Sequence, residues 1–391
     1  VRIGIIGGGI NGSGIAWELA RKSYDVTLFD KGICGAQTSS ATTKLIHGGL
    51  RYLEGLHVAL VRESLRERAW LLERLPQLVK PIEILLPLYE DSPRFKWTVR
   101  LGLAMYDSLA GRANIRRHES LSADAMLDRA PLRRDGLRGG FSYWDAQVDD
   151  YQLVRAVVAS AVREGAHLRE NTRVVAVTPA SGRLARRPPA AGWTVRTSLG
   201  DESEFDVLIN AAGPWMNELL GAEHQQSRYQ LSLVRGSHLV LKQRVSEAGL
   251  LLQSLSDRRV FFVLPWKGTT LVGTTEVVQH ESPDGVRPSD QEVDYLIARF
   301  NHYLRDPITH DDVAQTFAGV RPLVGRAANP SAIGREYRVE RHGNLINVWG
   351  GKMTTFMALA RKVSLRVDNF SGEPRTAREP RFALESPSAS S

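Results

Sequence analysis

Three glycines, Gly7, Gly9 and Gly12, stand in the spacing G-x-G-x-x-G directly after the apolar run Arg2-Ile3-Gly4-Ile5-Ile6. A buried strand that opens at once into such a turn, and then into a helix, is built to grip a diphosphate. Gly7 permits the tight turn, Gly9 lets backbone approach the pyrophosphate, and Gly12 lets the next helix lie close to the strand. That helix, expected over Ile10 to Lys22 with Asn11 in its first turn, points free N–H groups and the positive end of its dipole at the phosphates. A second strand, Asp25 to Phe29, ends in Asp30, where a carboxylate can accept hydrogen bonds from a ribose 2′-hydroxyl. Strand, turn, helix, strand and acid in this order read as a site for an adenine dinucleotide. The carboxylate argues against NADP, whose 2′-phosphate it would repel, and leaves NAD and FAD open.

The elements around this unit follow from periodicity and breakers. The chain has 391 residues, 42% hydrophobic and 24% charged, which is an ordinary globular composition long enough for two domains or one elaborated one. The Gly-, Ser- and Thr-rich stretch Gly32 to Gly49 is too long for a simple turn and reads as a loop running along a ligand. Helices are expected over Val58 to Leu75, near Trp97 to Leu109, over Tyr151 to Glu164 behind a cap at Asp149 or Asp150, over Ser289 to Leu304, and at the end to about Val367. The charges of the Val58 helix read as a solvated face. Strands are expected at His167 to Val177, Trp193 to Leu199, Phe205 to Asn210, Ser237 to Leu241, Val260 to Leu264, Thr270 to Val272 and Asn344 to Trp349. Small residues at Ala212 and Gly213, after the Phe205 strand, would let backbone meet a cofactor. The loop Arg183 to Pro189 reads as a surface excursion, and the polar stretch 371–391 as a disordered tail.

Charge and cysteine content narrow the partners. Fifty-one Lys and Arg against 43 Asp and Glu give a net charge of +8, which favours phosphorylated substrates or membrane surfaces. Because acids interleave with the bases, no nucleic-acid track is expected. Cys34 is the only cysteine, so an internal disulfide framework and a metal site built from several cysteines of this chain are excluded. No apolar run is long enough to span a bilayer, and the first strand starts at the first residue, so no leader peptide is expected. The expected location is cytoplasmic, or peripheral on the inner face of the cell membrane. Pro93 to Leu101 interleaves bases with aromatics, as interfacial segments do.

Gly7 to Gly14, the long run Thr38 to Glu54 (TSSATTKLIHGGLRYLE), Asn210 to Trp215, Gly319 to Leu323 and Gly350 to Thr355 together resemble the FAD-dependent glycerol-3-phosphate dehydrogenases, aerobic type, within the D-amino-acid-oxidase-like flavoenzymes. The likeness covers the chain to about residue 367. It implies an α/β fold: a Rossmann-like FAD-binding domain of residues 1–75, 146–220 and 317–370, with an inserted α+β substrate domain of residues 76–145 and 221–316 on a mixed, largely antiparallel sheet. It also implies oxidation of sn-glycerol 3-phosphate at C2 to dihydroxyacetone phosphate, with hydride passing to flavin N5 and electrons to a quinone. The alternative is an FAD-dependent oxidase or dehydrogenase of a small amino or hydroxy acid, whose carboxylate the same arginines could clamp. Many family members continue into a C-terminal helical domain of roughly a hundred residues, and the likeness ends about where that domain would begin.

The resemblance implies site residues one by one. The loop passes under the flavin and delivers Arg51 and Tyr52 to the substrate. Arg321 and Lys352 join Arg51 around the phosphate, and Arg321 counts among the catalytic groups as well. A base must take the hydroxyl proton, and His47 and His238 are the candidates. Ser39, Ser40, Thr43, Lys44, His47 and Gly48 are expected on the cofactor. So are Gly351, Lys352, Met353 and Thr354, at the opening of the last helix, whose dipole would face the pyrimidine end of the flavin.

Overall fold

The structure is a computed structural model that describes residues 1–180, 192–218, 227–325, 334, 336–372 and 374–383. The chain divides into two compact units. Residues 1–40, 149–233 and 321–391 form the first, and residues 41–148 and 234–320 the second.

The first unit is built on a six-stranded sheet in the order Arg338–His342, Leu345–Trp349, Val207–Asn210, Arg2–Ile6, Asp25–Phe29, His167–Arg169. All neighbours run parallel except the edge strand Arg338–His342. Ile3 and Ile5 of the central strand are wholly buried, which a parallel strand covered on both faces demands. Helix Ile10–Arg21 packs against helices Asp150–Arg163 and Phe356–Ser371. A Cβ on Gly14 would lie 2.6 Å from the Phe356 ring, so the last helix comes this close only because Gly14 has no side chain. Asp149 caps Asp150–Arg163 by accepting from the Gln152 amide at 3.1 Å. A small antiparallel sheet, Val174–Pro179, Trp193–Thr197 and Glu202–Phe205, adds Val174, Trp193, Val195 and Phe205 to a cluster with Ile6, Phe29, Leu208 and Leu345.

The second unit centres on a ten-stranded sheet. Its main path is Val277–Val278, Leu231–Leu241, Thr269–Gly273, Val260–Trp266, Gly249–Gln253, Val79–Tyr89, Leu137–Val148, Leu45–Ile46. It is antiparallel apart from the pair Gly249–Gln253 with Val79–Tyr89. Period-2 alternation sorts its side chains. Leu250 and Leu252 face a core capped by Leu296 and Phe300 of helix Asp290–Asn301. Leu251 faces the other core, with Val61 and Leu65 of helix Val58–Arg74 and Leu103 and Tyr106 of helix Lys96–Ala110.

Several expectations change. Residues 41–75, expected with the nucleotide domain, cluster with the second unit. Leu45 pairs with Gln147 in an antiparallel ladder, and Val61 and Leu65 bury in the second unit's core. The single strand expected from His167 to Val177 is two, His167–Arg169 and Val174–Pro179, because Asn171 turns the chain at φ +51° and donates its amide to Gly32 O. The tail expected from residue 371 packs over residues 374–383. Phe382 meets the Trp17 ring at 4.5 Å between centroids, and the Ala383 amide donates to Ser160 Oγ at 2.7 Å. The loop Arg183 to Pro189 and the last eight positions lie outside the described residues.

Candidate active site

In the first unit the glycine turn sits where the Arg2–Ile6 strand ends. Gly7 has φ +102°, and a Cβ there would lie 2.5 Å from Ala211 O. A Cβ on Gly12 would lie 1.9 Å from Gly7 O, so the helix can start this near the strand only with glycine. Gly9 has more room, its nearest neighbour being Ser39 Oγ at 3.1 Å from a Cβ. Ser39 Oγ accepts from the Ile10 amide at 3.0 Å, which ties the loop 38–40 to the helix start, and Ser40 Oγ donates to Gln37 O at 2.9 Å. The Asp30 carboxylate accepts from the Gly8 amide at 2.7 Å and the Gly32 amide at 2.8 Å. Burial pushes its carboxyl above the ordinary range, while those two amides and Lys31 pull the other way. A carboxylate has about four acceptor positions, so sites remain for ribose hydroxyls.

The second glycine turn of this unit meets the first. Asn11 Nδ2 donates to Gly350 O at 3.0 Å, and a Cβ on Gly351 (φ +114°) would lie 2.3 Å from that nitrogen. A Cβ on Gly350 would lie 3.4 Å from Pro322 O, so the segment carrying Arg321 runs beside this turn. Lys352 precedes a 3-10 turn, Met353–Thr355, that leads into helix Phe356–Ser371, and Met353 and Thr354 are buried. The Ala212 amide donates to Asn210 Oδ1 at 3.2 Å, and Gly213 (φ +57°) faces open space. Among the described residues no hydrogen-bond partner reaches the buried Asn11 Oδ1 or Thr355 Oγ1, so polar atoms of a ligand could be taken up there.

The second unit holds the other expected groups. His238 is fully buried, its ring stacked on Phe317 at 4.8 Å, with Nε2 3.0 Å from Thr43 Oγ1. A Cβ on Gly273, its partner across the sheet, would lie 2.3 Å from that ring. Lys44 adopts φ +59° and lies over the Trp266 and Phe317 rings at 5.7 and 5.3 Å. His47 is half-buried between Tyr52 and Phe262, 6.5 and 6.4 Å away between ring centroids. Arg51 Nη2 lies 3.8 Å from Glu276 Oε1. Gly48 donates its amide to Tyr106 Oη at 2.8 Å.

Sequence reading missed several buried charged groups of this unit. Arg68 and Glu67 are buried in the helix whose charges read as a solvated face. The signal lay in the spacing, since Val61, Ser64, Leu65, Arg68 and Leu71 form one helical stripe with Arg68 inside it. Glu292 was also missed. It accepts from Ser237 Oγ at 2.7 Å and Thr275 Oγ1 at 2.6 Å, the neighbours in sequence of His238 and Glu276.

A glycine-lined nucleotide unit and a largely antiparallel second unit define a two-unit, dinucleotide-binding protein. The chain belongs to the FAD dependent oxidoreductase family, whose profile matches residues 2–364. It is 36% identical over 370 residues to D-erythritol 1-phosphate dehydrogenase of Brucella abortus, covering 92% of this chain and 72% of that protein. It is 36% identical over 381 residues to glycerol-3-phosphate dehydrogenase of Pseudomonas aeruginosa, covering 94% and 72%. The fold is also that of the glycerol-3-phosphate dehydrogenase of Bacillus halodurans solved with FAD, with a TM-score of 0.73, 24% identity, and 97% of this chain against 66% of that one covered. The cofactor is FAD, and the residues present fit it. The side-chain-free turn at Gly7 and Gly12, the acceptor positions left on Asp30, and Asn11 Oδ1 and Thr355 Oγ1, unsatisfied among the described residues, suit a dinucleotide.

Proposed function

We propose that the protein oxidises sn-glycerol 3-phosphate at C2 to dihydroxyacetone phosphate and delivers the electrons to a quinone. The observation that carries this reading is 36% identity over more than nine tenths of the chain to two dehydrogenases named for small phosphorylated polyols. The bound flavin supplies the hydride acceptor, N5. The chain's own residues hold the phosphate and take the proton. Arg51, Arg321 and Lys352 are its proposed ligands, the arginines offering a bidentate fork and the lysine a point charge, with Tyr52 beside Arg51.

His47 is the proposed base. The buried ring of His238 cannot touch a substrate directly, but Thr43 Oγ1 at 3.0 Å offers a relay to it. His47 is half-exposed and one residue from the Gly48 amide. Ser39, Ser40, Thr43, Lys44, Gly48, Ala212, Gly213, Gly351, Met353 and Thr354 are proposed to line the cofactor.

A second reading keeps the chemistry and lengthens the substrate to D-erythritol 1-phosphate, favoured by the Brucella relative. Anaerobic mixing of the yellow protein with each polyol phosphate, and with amino and hydroxy acids, separates the readings. Bleaching by glycerol 3-phosphate is expected; bleaching by a carboxylic substrate alone would overturn the assignment.

A further inference from the structure

Within the second unit an ion pair lies where charge is costly. Arg68 Nη1 and Asp145 Oδ1 are 2.6 Å apart, with side chains 0% and 4% exposed. Apolar residues of similar volume often stabilise a core as well as a buried pair does, so the arrangement calls for a role beyond cohesion. Its partners supply one. The Tyr106 hydroxyl donates to Asp145, 2.8 and 3.0 Å from the two carboxylate oxygens, and accepts from the Gly48 amide at 2.8 Å. That amide also reaches Asp145 Oδ1 at 3.3 Å, and Arg68 braces the pair by donating to Trp144 O at 3.0 Å. Burial first, and then the Asp145 charge, push the Tyr106 hydroxyl well above its ordinary pKa, so it stays protonated and can donate. Helix Lys96–Ala110 and strand Leu137–Val148 thus meet at one loop amide, and helix Val58–Arg74 braces the strand's carboxylate through Arg68.

The loop has no slack to absorb a shift there. A Cβ on Gly48 would lie 2.4 Å from Tyr106 Oη and 2.5 Å from Leu65 Cδ2. Gly49 is left-handed at φ +82°, with the Tyr52 ring 2.2 Å from where its Cβ would be, and it opens the 3-10 turn Leu50–Leu53 that carries Arg51 and Tyr52. A displacement of the Gly48 amide therefore reaches His47 on one side and Arg51 on the other. We infer that Tyr106, Asp145 and Arg68 are positioning residues that set the substrate loop through the Gly48 amide, an inference that rests on the reading of Arg51 as a phosphate ligand.

Tyr106→Phe keeps the ring in the core and removes only the hydroxyl. With a dye acceptor, its KM for glycerol 3-phosphate, or for D-erythritol 1-phosphate if that is what bleaches the flavin, should rise about five- to tenfold with FAD content unchanged. Tyr303→Phe is the control. It removes a buried hydroxyl that binds Gln253 O in the other core of this unit, and it should lower the melting temperature without moving KM. An unchanged KM in Tyr106→Phe, beside a raised KM in Arg51→Ala, overturns the inference alone. An unchanged KM in Arg51→Ala removes the reading beneath it, and the inference with it. A KM rise of equal size in Tyr303→Phe reduces the effect to general loosening and also overturns it.

Discussion

Two histidines are the candidates for the proposed base, and their surroundings separate them. His238 is held from both sides, by the Phe317 ring and by Thr43 Oγ1, and is fully covered. Such a ring orients its neighbours well but meets a substrate only through them. His47 is half-exposed and lies in the same loop as Arg51, four residues away. Replacing His47 with Asn should slow anaerobic flavin reduction by about 10²- to 10⁴-fold, the usual worth of a general base, while the protein stays yellow. Stopped-flow bleaching measures this directly, and reduction at the unaltered rate would transfer the role elsewhere.

Helix Asp290–Asn301 shows how an element can serve a site it does not line. Its capping box closes Ser289 against Glu292. The same carboxylate accepts from Thr275 Oγ1 and Ser237 Oγ and faces Arg235 Nη2 at 2.8 Å. Burial alone would raise the Glu292 carboxyl, but the Thr275 hydroxyl, the Ser289 amide, the Ser237 hydroxyl and Arg235 together hold it below the ordinary glutamate range. A folded pKa below the unfolded one means the pairing stabilises fully above the unfolded value, and that contribution is lost as pH falls through the folded value. Glu292→Gln should therefore melt lower than the parent at neutral pH, and the gap should narrow below roughly pH 4. Melting curves across acid pH test it; a gap of constant size would mean that the charge of Glu292 contributes nothing to folding.

On the scale of the whole molecule, the net charge of +8 meets an exposed apolar surface in the second unit. Leu56, Phe95, Trp97 and Leu101 are 78%, 73%, 68% and 55% exposed, with Lys96 and Arg100 exposed among them. Among the described residues no helix is long and apolar enough to cross a membrane. Single exposed apolar residues are ordinary, but aromatics clustered with bases suit the headgroup zone of an anionic bilayer. We propose peripheral contact through this surface. The protein should co-sediment with vesicles rich in anionic lipid and detach at high salt, and a Trp97→Ser, Phe95→Ser double variant should stay in the supernatant. Equal sedimentation of parent and variant would move the contact elsewhere.

The nucleotide unit was legible in the sequence because its signals are local. The strand, the glycine spacing, helix Ile10–Arg21 and Asp30 act on one another within thirty residues, and sterics at Gly7 and Gly12 leave few alternatives. The Asp149 cap is likewise a short-range device. Tertiary structure alone decided the rest. It placed residues 41–75 with the second unit, since Leu45 finds its strand partner at Gln147, about a hundred residues on. It buried Arg68 in a helix whose charges read as a solvated face and laid Phe382 against Trp17. Local patterns state what a residue prefers, whereas burial and ion pairing depend on which distant strand or helix arrives beside it, and only the folded chain settles that.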